Sequence, residues 1–367
     1  MIERGILYVV DETTNSMSQH VLILLKYLNR ARYKPSLLIS SDSYLLEHVK
    51  KLNVEYQVIP GIASANKLNS GGIAKQIDQF IEEHAVNLIH SHGYQACYVS
   101  AQVAKNRNIP HVSTVHTVDS ATPKKKGFLN LPYNKIAAMP DHLIAVSEAV
   151  KHDIEGFNSA SLIYNVVEAD RFGETLDTEH LYRELDLKKE NNLVGVITRL
   201  SPEKGTGTFL EAAAVLVKDN PNMYFIIAGD GDERPALEKQ ASNLGISKNV
   251  RFLGFRRDVA HILKSLDVVV IPNLAAGLPL ILLEALACIK PVAVTDVPGV
   301  REAVNEEHVE LIPAGNAAAI IEAVNGIRAD QCKADTKAQA GHKLVIERFT
   351  IPSMMKPTES LYLEKAR

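Results

Sequence analysis

The sequence predicts two α/β domains, each a doubly wound parallel sheet covered on both faces by helices. Three observations carry this expectation. The chain has 367 residues, more than a single hydrophobic core usually organises. Short continuous apolar runs alternate with amphipathic stretches, the order that a parallel sheet buried on both faces requires. A polar stretch at 168–192, EADRFGETLDTEHLYRELDLKKENN, separates two halves that each show this alternation.

In the first half, Gly5–Val10 reads as a strand and Ser18–Arg30 as a helix, with apolar residues at helical spacing. Strand-like Ser36–Ser40 and Tyr56–Ile59 alternate with helical Ser43–Leu52 and Gly71–His84. Leu88–His90, Gly93–Asn106 and His111–His116 give strand, helix, strand; His142–Val146 is a further strand, with a helix from Ser147. The second half offers strands at Leu193–Thr198, Met223–Ala228, Val250–Phe252 and Val268–Ile271, with helices at Thr206–Asp219, Arg234–Leu244 and Val259–Ser265 between them. Next come a Gly-Leu-Pro turn, a helix opening near Leu280, and a strand after Pro291. The tail from Thr336 is helical with interruptions at Pro352 and Pro357, and is long enough to return to the first domain. The expected division is therefore 1–167, a linker at 168–192, a second domain at 193–345, and a returning helix at 346–367.

Composition narrows the function classes. With 46% hydrophobic and 23% charged residues the chain has an ordinary globular balance. A formal net charge of −3 argues against a dedicated nucleic-acid binder. Cys97, Cys288 and Cys332 are far apart, which fits neither a zinc spacing nor a disulfide framework and favours a reducing compartment. The opening MIERGILYVVDE reads as a strand rather than a signal peptide, and no apolar run reaches the ~18 residues of a membrane span. A cytoplasmic protein is expected, at most peripheral at the inner face of a membrane. One segment fits such contact: PKKKGFLNLPY (Pro123–Tyr133) sets Lys124, Lys125 and Lys126 beside Phe128, a pairing that suits anionic lipid or a solvated loop.

Several segments have the residue types for phosphate chemistry. TRLSPEKG (198–205) follows a strand and precedes a helix, so Arg199 and Lys204 would project near the carboxyl edge of the sheet. Two cations there suit a diphosphate, the guanidinium binding two oxygens and the ammonium acting as a point charge. A charged turn is the competing reading. AGDGDER (Ala228–Arg234), after a strand, suits close approach to a nucleotide or a plain turn, and in LGFRRD (Leu253–Asp258) Phe255 and Arg256 suit a base pocket or a solvated loop. In IPNLAAGLPLILLEALACIKPVAV (Ile271–Val294), a turn followed by a helix start presents free backbone N–H groups. Glu284, about one turn into that helix among apolar neighbours, can accept ribose hydroxyls or form an ion pair. His116 ends HVSTVH and can stabilise a reacting group, take a proton, or serve structurally. His90 and His92 share one strand face in IHSHG, an arrangement open to a metal, although no third ligand is evident. Asn15–Ser18 follow the first strand, where Ser16 can face a ligand or cap a helix.

Together these segments resemble the family 4 retaining glycosyltransferases of GT-B fold, the glycosyl transferases group 1. The resemblance covers nearly the whole chain and is strongest from Gly195 to Val304: TRLSPEKG, AGDGDER, FLGFRRDV, GLPLILLEA and TDVPGVREAV. TVHT, IAVSEAVKHDI and IYNVVEADRF extend it into the first half. It implies two Rossmann-like domains facing across a cleft, with the second holding a nucleotide-diphosphate sugar. It further implies that Arg199 and Lys204 bind the diphosphate and Glu284 the ribose. Backbone around Gly277, Leu278, Leu280 and Ile281 would meet phosphates and sugar, with Ser16 contributing from the first loop. His116 would lie by the reacting face of the sugar. Transfer would retain the anomeric configuration, without a metal or other cofactor, to a glycan or lipid-linked acceptor.

Some positions depart from the family pattern. Ala276 stands where the first of two glutamates normally contacts the donor sugar, and Thr198 replaces the glycine usually preceding the arginine. Asn15 and Ser16 replace a frequent glycine pair, and Val166 and Ile289 replace common glycines. β-Branched residues disfavour positive φ, so altered loop shapes are expected there. Ala276 supports an alternative in which the chain binds a nucleotide sugar, glycan or partner enzyme without turnover.

Overall fold

The computed structural model describes residues 4–11, 15–41, 44–66, 68–116, 139–154, 159–173 and 176–366. The chain divides into two compact units, Met1–Val166 with Ile351–Arg367, and Val167–Thr350.

Among the described residues the first unit contains seven strands: β1 (Arg4–Val10), β2 (Tyr33–Ile39), β3 (Glu55–Val58), β4 (Leu88–His92), β5 (His111–Val115), β6 (His142–Ala145) and β7 (Ala160–Leu162). They pair in parallel in the order β3-β2-β1-β4-β5-β6-β7. β1 shows why its sequence is a continuous apolar run. Ile6, Tyr8 and Val10 join a core with the helices Asn15–Tyr27 and Ile351–Lys365, whereas Leu7 and Val9 join another with Ser70–Glu83 and Tyr94–Arg107. Successive side chains point to opposite faces, and both faces are covered.

The second unit repeats the plan among the described residues with β8 (Asn192–Ile197), β9 (Met223–Ala228), β10 (Val250–Gly254), β11 (Val268–Ile271), β12 (Val292–Thr295) and β13 (Glu310–Ile312), ordered β10-β9-β8-β11-β12-β13 and all parallel. Val194 and Val196 pack into one core with Phe209 and Leu210 of the helix Thr206–Asp219, where Phe209 meets Phe225 edge-on at 5.7 Å between centroids. In both units the strand order reverses beside the first strand, at β1/β4 and at β8/β11. The carboxyl edge at such a reversal is the position where sheets of this kind take ligands.

Two local expectations need adjusting, and two short strands are added. Residues 168–192 belong to the second unit rather than forming a free linker: Phe172 and Leu181 are buried, and the turn Ala169–Phe172 packs on the helix Leu280–Ala287. Pro357 does not interrupt the final helix, which runs Ile351–Lys365 through it. Burial of Met354, Met355, Leu361 and Tyr362 against the first core offsets the lost backbone hydrogen bond. The short strands β7 and β13 have three residues each, too few to show periodicity in the sequence. Among the described residues, no helix is long and apolar enough to cross a membrane.

Candidate functional site

In the second unit, the switch point brings together the loop after β8 and the loop after β11. Arg199 and Lys204 lie on the first, and 272–279 form the second. The two are joined: Leu274 N–H donates to the Glu203 carbonyl at 2.9 Å. Gly205, at φ +65°, lies so close to Pro272 that a Cβ there would fall 2.0 Å from its carbonyl oxygen. Only glycine permits that approach. The AGDGDER loop braces the first loop from the other side, with Leu200 N–H donating to Asp230 O (2.9 Å) and Glu233 N–H to Leu200 O (3.2 Å).

The Lys204 ammonium makes no hydrogen bond among the described residues, and burial pushes its pKa down. Arg199 is half exposed and pairs with Glu203 Oε1 at 3.1 Å. Glu203 also accepts from Ser201 Oγ at 2.6 Å, so the turn is tied by its own acid. A desolvated, unbonded ammonium beside a guanidinium is a site prepared for an anion.

The helix Leu280–Ala287 starts on the second loop, with Pro279 as a cap that offers no side-chain bond. The backbone N–H groups of Gly277, Leu278, Leu280 and Ile281 have no acceptor among the described residues. The first unit differs at the equivalent place. There Asp11, buried, accepts from the N–H groups of Gln95 (2.6 Å) and Ala96 (3.0 Å) at the start of the helix Tyr94–Arg107. A helix start attracts negative charge. The first unit fills its own with a carboxylate, and the second leaves its N–H groups open. The sequence marks Asp11 only as the end of a strand, so its capping role emerges from the fold alone.

Glu284 lies on the same short helix, and its carboxylate has no hydrogen-bond partner among the described residues. Burial pushes its pKa up to about 7, opposed by the charge of Arg171. Ala276 and Gly277 pack under Gly299, where a Cβ would fall 2.5 Å from the Ala276 carbonyl oxygen. Gly299, in TDVPGVREAV, thus sets the height of the loop, a role legible only in three dimensions. Ile289 departs from expectation. It adopts a left-handed backbone itself, at φ +57°, the conformation that the expected reshaping would have avoided. Its N–H donates to Leu286 O (3.0 Å) and that of Lys290 to Ala285 O (3.1 Å), and these helix-end bonds hold the conformation. Arg256 of LGFRRD does not present a free guanidinium. It is bound by Glu184 (2.5 Å) and Asp258 (2.6 Å), and Phe255 is exposed.

In the first unit, His116 follows β5 and is half buried. Its Nε2 lies 3.2 Å from His92 Nδ1, and its ring meets His20 edge-on at 4.8 Å between centroids. His20 Nδ1 donates to Asn165 Oδ1 at 3.0 Å. His90, the other histidine of IHSHG, is engaged elsewhere, by Tyr362 Oη (2.5 Å) and Thr114 Oγ1 (2.7 Å). Burial holds His20 at a pKa of about 4, and His90, His92 and His116 well below the usual histidine value. These rings are neutral at physiological pH. Ser16 is already within the helix Asn15–Tyr27 and exposed, so it is not part of a loop. Lys124, Lys125, Lys126 and Phe128 lie outside the described residues.

The histidines answer the question left by the H-x-H pattern. Further potential ligands do exist: His20, His92 and His116 bring one ring nitrogen each within 4.8 Å of one another. A metal-bound histidine normally donates its other ring N–H to an acceptor. His20 has Asn165 for this, but His92 Nε2 is buried with no partner among the described residues. If Nδ1 of His92 held a metal, an orphaned N–H would remain, so the set does not fit a zinc-type centre. The other candidate group, His180, Glu184 and Asp258, is already neutralised by Arg256.

Comparison with known proteins identifies the family. Residues 17–171 match the model described as Glycosyltransferase Family 4, and residues 177–343 match that of Glycosyl transferases group 1. The chain belongs to the family 4 glycosyltransferases. A relative is the D-inositol 3-phosphate glycosyltransferase of Corynebacterium urealyticum, 31% identical over 62% of this chain and 60% of that protein. Another is the UDP-Gal:alpha-D-GlcNAc-diphosphoundecaprenol alpha-1,3-galactosyltransferase of Escherichia coli, 27% identical over 60% of each. The matched region thus spans about three-fifths of these relatives. Among solved structures, HepE of Anabaena in complex with UDP and glucose matches with a TM-score of 0.86 at 20% identity, covering 99% of this chain and 100% of that one. As a family 4 glycosyltransferase, the chain shares the GT-B fold with that structure.

Proposed function

We propose that this family member transfers a sugar from a nucleotide-diphosphate sugar to a glycan or lipid-linked acceptor, with retention and without a metal. The observation that carries the proposal is the open helix start at Leu280, with Lys204 and Arg199 on the joined loop. It is an anion site of two cations and several N–H groups, suited to a diphosphate. Glu284 offers a carboxylate to the ribose hydroxyls. HepE was crystallised with UDP and glucose, and the Escherichia coli relative is named for a UDP-sugar and a lipid-diphosphate acceptor. Both support this substrate class.

In the proposed reaction the acceptor hydroxyl attacks the anomeric carbon from the face the diphosphate leaves. The new C–O bond forms as the sugar–phosphate bond breaks, and the hydroxyl proton passes to a leaving phosphate oxygen. Arg199, Lys204 and the N–H groups of the 277–281 turn take up the charge that develops on the diphosphate. His116 contacts the sugar.

Ala276 favours a second reading, a chain that binds the nucleotide sugar but turns it over slowly or not at all. Two hydrogen bonds to a charged group at about 1.5–3 kcal/mol each correspond to a rate loss between roughly a hundredfold and many thousandfold. The deciding experiment measures hydrolysis or transfer over a panel of nucleotide sugars, for the wild-type chain and for Ala276→Glu. Turnover by the wild type supports the enzyme. Nucleotide binding with turnover only in Ala276→Glu supports the second reading. Absence of any nucleotide binding overturns both.

A further inference from the structure

The buried histidines of the first unit determine which nitrogen of His116 carries its proton. Burial, complete for His92 and partial for His116, disfavours the doubly protonated form of these rings, so each has one proton and two possible tautomers. His92 Nδ1 and His116 Nε2 are 3.2 Å apart, and a hydrogen bond between them requires one to donate and the other to accept. The other nitrogen of His92 decides the direction. His92 Nε2 is buried and has no partner among the described residues. A proton there would be an orphaned buried N–H, a rare and costly state, whereas a bare lone pair is left unmatched at lower cost. The proton of His92 therefore sits on Nδ1 and is donated to His116 Nε2.

We propose that His92 is a positioning residue that fixes His116 as the neutral Nδ1–H tautomer, making it a hydrogen-bond donor to a sugar oxygen rather than a proton acceptor. With Nε2 occupied as an acceptor, the single proton of His116 has only Nδ1 available. No protein or backbone group accepts from Nδ1 among the described residues, so that N–H remains available for a ligand. His20 supports the arrangement. Its own proton is committed through Nδ1 to Asn165 Oδ1, and its ring stands edge-on to His116 at 87°. It therefore restricts ring rotation without competing for the Nε2 position. The role toward sugar rests on the function proposed above. The tautomer does not, since it is a property of the ligand-free chain.

The experiment is long-range proton–nitrogen correlation NMR on the full chain with 15N-labelled histidine, assigned with single-histidine variants. Protonated Nδ1 on both His92 and His116 is expected in the wild type. A proton on Nε2 of His116 overturns the proposal whether or not the chain proves to transfer sugar. Two variants test the positioning role. His92→Asn places an amide N–H near the position of Nδ1 and is expected to keep the His116 tautomer. His92→Phe keeps ring volume but removes the donor, and is expected to shift the His116 proton toward Nε2 and lower kcat about tenfold, the worth of roughly one hydrogen bond. Retention of the wild-type tautomer in His92→Phe also overturns it. If that variant does not fold, the wild-type spectrum still decides the matter.

Discussion

Gly299 lies directly over the peptide joining Ala276 to Gly277: a Cβ added to Gly299 would sit 2.4 Å from the Gly277 carbonyl carbon and 2.5 Å from both carbonyl oxygens. The atoms that would be struck are backbone, which cannot turn aside as a side chain can. Gly299→Ala is therefore expected to lift the 276–278 turn and misplace the N–H groups behind it. Overpacking of this kind costs about 1–3 kcal/mol. A fall of roughly tenfold or more in nucleoside-diphosphate affinity by titration calorimetry is expected, with far-UV circular dichroism unchanged.

The Lys204 ammonium is desolvated without a hydrogen-bond partner among the described residues, and anion binding would relieve that cost. Lys204→Met is expected to weaken nucleoside-diphosphate binding by about 1.5–3 kcal/mol, tenfold or more, and to flatten its dependence on salt. An unchanged affinity would remove Lys204 from the proposed site.

Glu284 yields paired pH predictions of opposite benefit. Its folded pKa, about 7, lies above the unfolded value of 4.5. The folded state therefore binds more protons between these values, and this group makes the ligand-free chain less stable as pH rises through that window. Glu284→Gln is expected to match the wild type near pH 4.5 and exceed it at pH 8 in thermal denaturation. Ribose hydroxyls favour the ionised carboxylate, so wild-type nucleotide affinity is expected to fall as pH drops below 7, and the variant to bind weakly throughout.

The buried histidines act in the other direction. His20 has a folded pKa of about 4 against 6.5 unfolded, and His92 and His116 are lowered likewise. In that window the unfolded state binds the extra protons, so stability contributed by these groups is present above pH 6.5 and is lost on acidification toward 4. The melting temperature of the first unit is expected to fall between pH 6.5 and 4, less steeply in His20→Gln.

Ile289 holds a left-handed backbone that a β-branched side chain tolerates poorly. Ile289→Gly is expected to raise stability by about 1 kcal/mol in urea unfolding. Ile289→Ala, which keeps a Cβ, should gain little.

The sequence by itself determined the fold class, the alternation of strands and helices along the chain, and the family. The signals are local: β1 and β11 are continuous apolar runs because both faces are covered, and the motifs TRLSPEKG and GLPLILLEA each lie within a single strand–turn–helix unit. The positions of Arg199, Lys204 and Glu284 on those units were legible for that reason. Tertiary structure alone decided how those motifs meet, because the deciding contacts join residues far apart in the chain. Gly205 seats against Pro272, Gly299 against Ala276, and Asp11 against the amides of Gln95 and Ala96. Spacing also concealed the fate of the paired histidines. Period-two alternation put His90 and His92 on one face, but neighbouring strands gave them different partners, Thr114 for His90 and His116 for His92. Ile289 shows the remaining difference. Its side chain signals a changed loop, whereas the hydrogen bonds closing the helix end outweigh the backbone strain and keep the left-handed turn.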